Sequence, residues 1–142
     1  MSYVSIYGIL FMLTIMISSP SNSSDFQVPE NPLPECPGSP NCIRTHESFS
    51  MDSATVLSTA DVVLKNMGAE SVDQDSESGQ IHAVFRIPVF GWKDDVHIVV
   101  HQNESIATLY IRSASRVGYS DLGVNNRRVK NFFRLFNKQL SN

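Results

Sequence analysis

Gln80-Ile81-His82-Ala83-Val84-Phe85-Arg86-Ile87 and Asp95-Val96-His97-Ile98-Val99-Val100-His101-Gln102 set the fold class. In the first, Ile81, Ala83, Phe85 and Ile87 alternate with Gln80, His82, Val84 and Arg86. In the second, Val96, Ile98 and Val100 alternate with Asp95, His97, Val99 and His101. A period of two marks strands with one buried face and one largely polar face. Two further strand-length segments, 69–75 and 106–113, flank them. The separators are Ser76-Glu77-Ser78-Gly79, Pro88 to Asp94 and Asn103-Glu104, short or punctuated by Gly and Pro, as antiparallel neighbours require.

Helical spacing begins on either side of these strands. Leu57, Ala60, Leu64 and Met67, flanked by Val56 and Val63, form an apolar stripe that Asp52 or Ser53 can cap and Gly68 can end. From about Asn125 to Gln139, Val129, Phe132, Phe133, Phe136 and Leu140 share one stripe. Arg127, Lys130, Arg134 and Lys138 fall opposite, and Asn125 is the candidate cap. The expected architecture is therefore α+β: a four-stranded antiparallel sheet with an N-terminal and a C-terminal helix packed on one face.

Residues 1–19 read as a signal peptide or N-terminal membrane anchor, because Tyr3 to Ile17 is almost continuously apolar but shorter than a spanning helix needs. Residues 20–35, rich in Ser, Asn and Pro, read as a flexible tether. The domain is expected over 36–142. Cys36 and Cys42, the only cysteines, bracket Pro37-Gly38-Ser39-Pro40-Asn41. In an oxidising compartment they are expected to form a local disulfide worth roughly 2 kcal/mol. Metal binding with His46 as third ligand is the weaker alternative, since a structural zinc site wants four ligands. The expected location is exported or membrane-tethered, with membrane contact only through the N-terminal segment.

The net charge of −3 conceals a division: residues 1–104 carry 4 basic and 13 acidic side chains, and residues 105–142 carry 7 basic side chains against Asp121 alone. The cationic third suits an anionic partner, or neutralises the acidic body of the same domain. Nucleic acid is disfavoured by that acidic body.

Chemistry-bearing residues gather near the turn from Arg112 to Asn125. Arg112, Arg116 and Arg128, with the hydroxyls of Ser113, Ser115 and Tyr119, suit a phosphate, sulfate or carboxylate, while Asp121 and Asn125 can lock the turn internally. Asp94 and Asp95 are adjacent on a strand and so point to opposite faces, which weakens a paired-acid reading. An ion pair from one of them to Arg112 or Arg116 is expected instead. His97 and His101 share a face but stand roughly 13 Å apart along the strand, too far to hold one ion unless a neighbouring strand contributes. The G-x-S-x-G pattern of a nucleophile elbow is absent. Trp92, the only tryptophan, beside Phe90 and Gly91, marks a loop tip that faces a ligand or membrane or packs on its own hairpin.

Three strings, Cys36 to Cys42, Asp94-Asp95-Val96, and Arg112 to Asn125 followed by Arg127-Arg128-Val129, together resemble the family known as domain of unknown function 1499. The resemblance covers residue 36 to the C-terminus. It implies a small stand-alone domain, often behind a signal or membrane segment, with no established activity. The reading is a binding module for an anionic small molecule, headgroup or protein partner. The alternatives are a purely structural Asp–Arg network and an enzyme using Asp94 or Asp95 with the arginines. No cofactor or metal is implied.

Overall fold

The computed structural model describes residues 28–141. The expected signal peptide or anchor lies outside them, as does the first part of the expected tether. Five strands, β1 (Cys42–Phe49), β2 (Ser71–Asp75), β3 (Gln80–Arg86), β4 (Lys93–Asn103) and β5 (Ile106–Ser115), form one antiparallel sheet in the order β1-β5-β4-β3-β2. Helix α1 (Ser53–Asn66) connects β1 to β2, and α2 (Val124–Leu140) closes the chain. The class is the expected one; the strand count is not, because the sheet has five strands rather than four. Strand β1 was missed because its inward positions, Ile43, Thr45, Glu47 and Phe49, carry only two large apolar side chains, so the alternation is faint. It pairs with β5 along its whole length, from Cys42 opposite Ala114 to Phe49 opposite Ala107.

The core lies between one face of the sheet and the two helices. Ile81, Ala83 and Phe85 of β3, Val96, Ile98 and Val100 of β4, and Ala107, Leu109 and Ile111 of β5 meet Val56, Leu57, Ala60, Val63 and Leu64 of α1. From α2 come Val129, Phe132, Phe133 and Phe136. Each of these large side chains, fully buried, contributes roughly 1.5–3 kcal/mol, which outweighs the modest propensity of short strands. Helix α1 begins as expected, with Asp52 accepting from the Thr55 amide at 2.8 Å. Helix α2 does not use Asn125 as its cap. Its N-cap is Gly123, and the Asp121 carboxylate accepts from the amides of Gly123 (2.8 Å) and Asn125 (2.6 Å). A carboxylate suits the positive end of a helix better than a neutral amide does. Asn125 is thereby released to point into the core.

At the β2–β3 turn Gly79 has φ +68°, and a Cβ there would stand 2.9 Å from the Val100 carbonyl oxygen. Only glycine lets that turn close on β4, where the Val100 amide donates to Gly79.

The other sheet face is crossed by a strap, residues 29–35, where the sequence composition predicts a flexible tether. Leu33 is buried against Val99 and Tyr110, the Tyr110 hydroxyl donates to the Pro29 carbonyl (2.8 Å), and Arg44 Nη2 donates to the Asn31 carbonyl (2.7 Å). One leucine and a few backbone carbonyls suffice, because the disulfide between Cys36 and Cys42 joins the end of the strap to the start of β1.

Candidate functional site

Because β4 starts at Lys93, Asp94 and Asp95 both lie within the strand and emerge on opposite faces. Asp94 faces the helices. Arg128 of α2, one helical turn beyond Asn125, reaches it with Nη2 at 2.6 Å, and both side chains are almost wholly buried. The same guanidinium donates through Nη1 to Asn125 Oδ1 (2.6 Å) and Ser113 Oγ (3.2 Å), and lies 4.7 Å over the Phe85 ring. Asn125 also accepts from the Ser113 hydroxyl, and its Nδ2 faces the Asn41 carbonyl, Ser115 Oγ and Asp121 Oδ2. Asn41 extends the network to the turn by donating to the Gly118 carbonyl at 2.6 Å. Burial alone would raise the Asp121 pKa, but the amides of Asn125 and Gly123 and the Asn125 side chain outweigh it and hold the carboxyl below its ordinary value. The result is a saturated internal lock that joins Asp94, Ser113, Ser115, Asp121, Asn125 and Arg128, with little capacity left for a ligand.

Asp95 faces the strap side. Arg116 grips it with two hydrogen bonds of 2.8 Å, and His82 Nε2 lies 2.8 Å from Oδ1. The Arg116 contacts, helped by His82 and opposed by partial burial, bring the Asp95 pKa down to about 2. The expected pair to Arg116 is thus present, whereas Asp94 takes Arg128 rather than Arg112 or Arg116. The arginines do not form one cluster around the turn: Arg112 and Arg116 are on the strap side, Arg128 is on the helix side, and Tyr119 stands exposed on the loop.

Cross-strand register sets Arg44, Arg112, His97, His82 and Asp73 in one row across the strap-side face. The His82 and His97 rings stack at 4.5 Å. His82, Asp95 and His97 offer ligand atoms within 4.8 Å of one another, so β3 supplies the close partner that His97 and His101 lacked. Both Asp95 oxygens are already engaged by Arg116, and the trio stands as a hydrogen-bonded His82–Asp95 pair beside a stacked imidazole. The alternative metal site at Cys36, Cys42 and His46 is closed, since the two sulfurs are bonded to each other.

Arg112 differs from Arg44, Arg116 and Arg128, each of which is answered by a carbonyl or a carboxylate. It is half-buried, its Nε is buried without a partner, and its guanidinium forms no hydrogen bond or ion pair among the described residues. Its cross-strand neighbour Arg44 is answered by the strap through the Asn31 carbonyl and Glu35. Arg112 instead borders a cavity of about 350 Å³ beneath the strap, lined also by Leu33, Ser78, Gln80, His97 and His101. Burial, reinforced by the His82 and Arg112 charges, lowers the His97 pKa despite Asp95. Asn41, His82 and the strap were not singled out from sequence as site components. The weak signal was present: His82 and His97 occupy outward positions of adjacent strands in the alternation.

An antiparallel sheet covered on one face by two helices, with a buried carboxylate–arginine lock behind its last strand, is the class of domain defined here. The chain belongs to the family described as protein of unknown function (DUF1499), which it matches over residues 32–136. Two solved structures are similar in part. A Chromobacterium violaceum protein is 16% identical, with 71% of this chain and 95% of that chain covered and a TM-score of 0.41. A conserved protein of Geobacillus kaustophilus is 14% identical, with 69% and 93% covered and a TM-score of 0.34. No curated protein matches the chain.

Proposed function

We propose that this protein is an exported or membrane-tethered binding module that takes an anionic small molecule into the strap-covered cavity, with Arg112 as its anchor. The observation that carries the reading is the half-buried Arg112 guanidinium, without a partner among the described residues, in the wall of that cavity. A desolvated cation is costly unless answered, and a carboxylate, phosphate or sulfate answers it with charge-assisted hydrogen bonds. The volume of about 350 Å³ lies within the range of small-molecule sites. Ser78, Gln80, His97 and His101 add polar groups around it, and Leu33 offers an apolar wall. The disulfide supports an oxidising compartment. The turn from Arg112 to Asn125 then divides its labour: its inward residues brace the fold and its first arginine binds.

Thermal unfolding across phosphate, sulfate and citrate concentrations tests this. Anions are expected to raise the melting temperature of the wild type, since a ligand that binds only the folded state stabilises it. Arg112→Gln should abolish that rise while leaving the anion-free protein as stable or more so. The rise should steepen in acid, as His97, whose pKa burial holds below the ordinary imidazole value, gains charge. A flat wild-type response, or one unchanged in Arg112→Gln, would overturn the reading.

A further inference from the structure

At one end of the sheet, loops 87–92 and 116–123 carry six of the eight large apolar side chains that stand exposed among the described residues: Val89, Phe90, Trp92, Val117, Tyr119 and Leu122. Val89 and Leu122 protrude furthest, 83% and 86% exposed. Scattered single apolar residues need no explanation, but this concentration on two adjoining loops does. The tip is built rather than loose. Ile87 donates to the Trp92 carbonyl (2.7 Å), Gly91 to Ile87 (2.9 Å), and Arg116 to Lys93 (3.0 Å), which carries the β4–β5 pairing up to the base of both loops. The Phe90 and Trp92 rings stack at 4.6 Å, and between the loops lies a mainly apolar cavity of about 150 Å³. Leu122 holds a left-handed φ of 55°, a conformation in which asparagine or glycine is ordinarily better, so folding alone does not account for a leucine there.

Charge completes the arrangement. Arg86 folds over Gly91 of the first loop, and Arg127 donates to the Leu122 carbonyl of the second (2.9 Å). Neither arginine has a carboxylate partner among the described residues. The acids nearby are occupied: Glu70 by Lys93, Asp95 by Arg116, Asp94 by Arg128, and Asp121 by the start of α2. Strongly exposed aliphatic side chains, an aromatic stack and two arginines without a carboxylate partner on the same pair of loops are the chemistries that an anionic bilayer interface takes.

We propose that this end of the domain docks on an anionic lipid surface, with Val89 and Leu122 entering the acyl boundary, Phe90 and Trp92 at headgroup depth, and Arg86 and Arg127 on the lipid phosphates. This is independent of the anion cavity and uses a different part of the molecule.

Trp92 is the sole tryptophan, so its emission reports this tip even while the N-terminal apolar run contacts lipid. Full-length protein is mixed with vesicles of phosphatidylcholine alone, or of equal parts phosphatidylcholine and phosphatidylglycerol, each with and without acyl-chain bromination. On the anionic vesicles Trp92 emission should shift to the blue and be quenched by the brominated lipid. Val89→Asn with Leu122→Asn should reduce the quenching severalfold without lowering the melting temperature, since asparagine suits the backbone at 122. Arg86→Gln with Arg127→Gln should weaken it on the anionic vesicles. Trp92 that stays unshifted and unquenched while the protein sediments with vesicles would overturn the proposal. So would a blue shift that grows with protein concentration in the absence of lipid, which would make a second copy of the chain the occupant.

Discussion

Asp94 and Asp95 are neighbours in the chain, and each meets one arginine, yet the two pairs occupy different surroundings. Asp94 and Arg128 are sealed between sheet and helix, 2% and 9% exposed, with Ser113, Asn125 and the Phe85 ring completing the arginine's environment. Asp95 and Arg116 meet at the open face, where Arg116 is 44% exposed and water competes for both charges. The difference shows that geometry alone does not rank ion pairs: the better-formed, two-bonded pair is the exposed one, but the buried one is the costlier to break.

The largest expected effect follows from that. Arg128→Met leaves a buried carboxylate unanswered and should cost about 3–5 kcal/mol in urea unfolding, and Asp94→Leu combined with it should recover part of the loss. A loss for Arg128→Met no larger than that for Arg116→Met would break the comparison.

The next effect concerns the strap, whose end is tied down by the disulfide. Replacing Cys36 and Cys42 together by serine should cost about 2 kcal/mol by loop-closure entropy. The same replacement should speed amide exchange at Leu33, which donates to Asn31 Oδ1 within the strap. Exchange at buried Ile98 and Ile111 should change less.

The smallest effect belongs to the exposed pair. Arg116→Gln should lower stability near neutral pH only marginally. Its signature is in acid. The Asp95 pKa is depressed to about 2 in the folded protein. Its contribution is therefore fully present above the unfolded value of about 4 and is lost as pH falls from there toward 2. Unfolding curves across that window should converge for wild type and Arg116→Gln at the acid end and separate above it.

Much of the fold was legible because burial imposes a period. The alternations in β3 and β4 and the stripes of both helices report which side meets the core, and they were read without reference to any partner. Strand β1 was not legible, since an edge strand whose only large apolar inward side chains are Ile43 and Phe49 satisfies its backbone through β5 and needs little apolar patterning. The strap escaped for a related reason: Leu33 is its one buried apolar side chain, and its hydrogen bonds to the sheet are accepted by backbone carbonyls, which every sequence possesses. At the candidate site, the right residue types were visible but not their sides. Arg112, Arg116 and Arg128 read as one cluster because they are close in sequence around a turn, and the sheet then separates Arg128 from the other two.

What the chain determined by itself was therefore local: strand and helix periods, a cap for α1 at Asp52 or Ser53, the opposite orientations of Asp94 and Asp95, and the closeness of Cys36 to Cys42. Each depends on interactions within a few residues or on a repeating exposure to one core. Only the tertiary structure decided which arginine met which aspartate, that the Asp121 carboxylate rather than an Asn125 cap serves the start of α2, and that Arg112 stands without a partner among the described residues at the cavity beneath the strap. Those outcomes depend on cross-strand register and on the seating of α2 against β5. Register and seating are set by the packing of the whole core, which no single stretch of sequence contains.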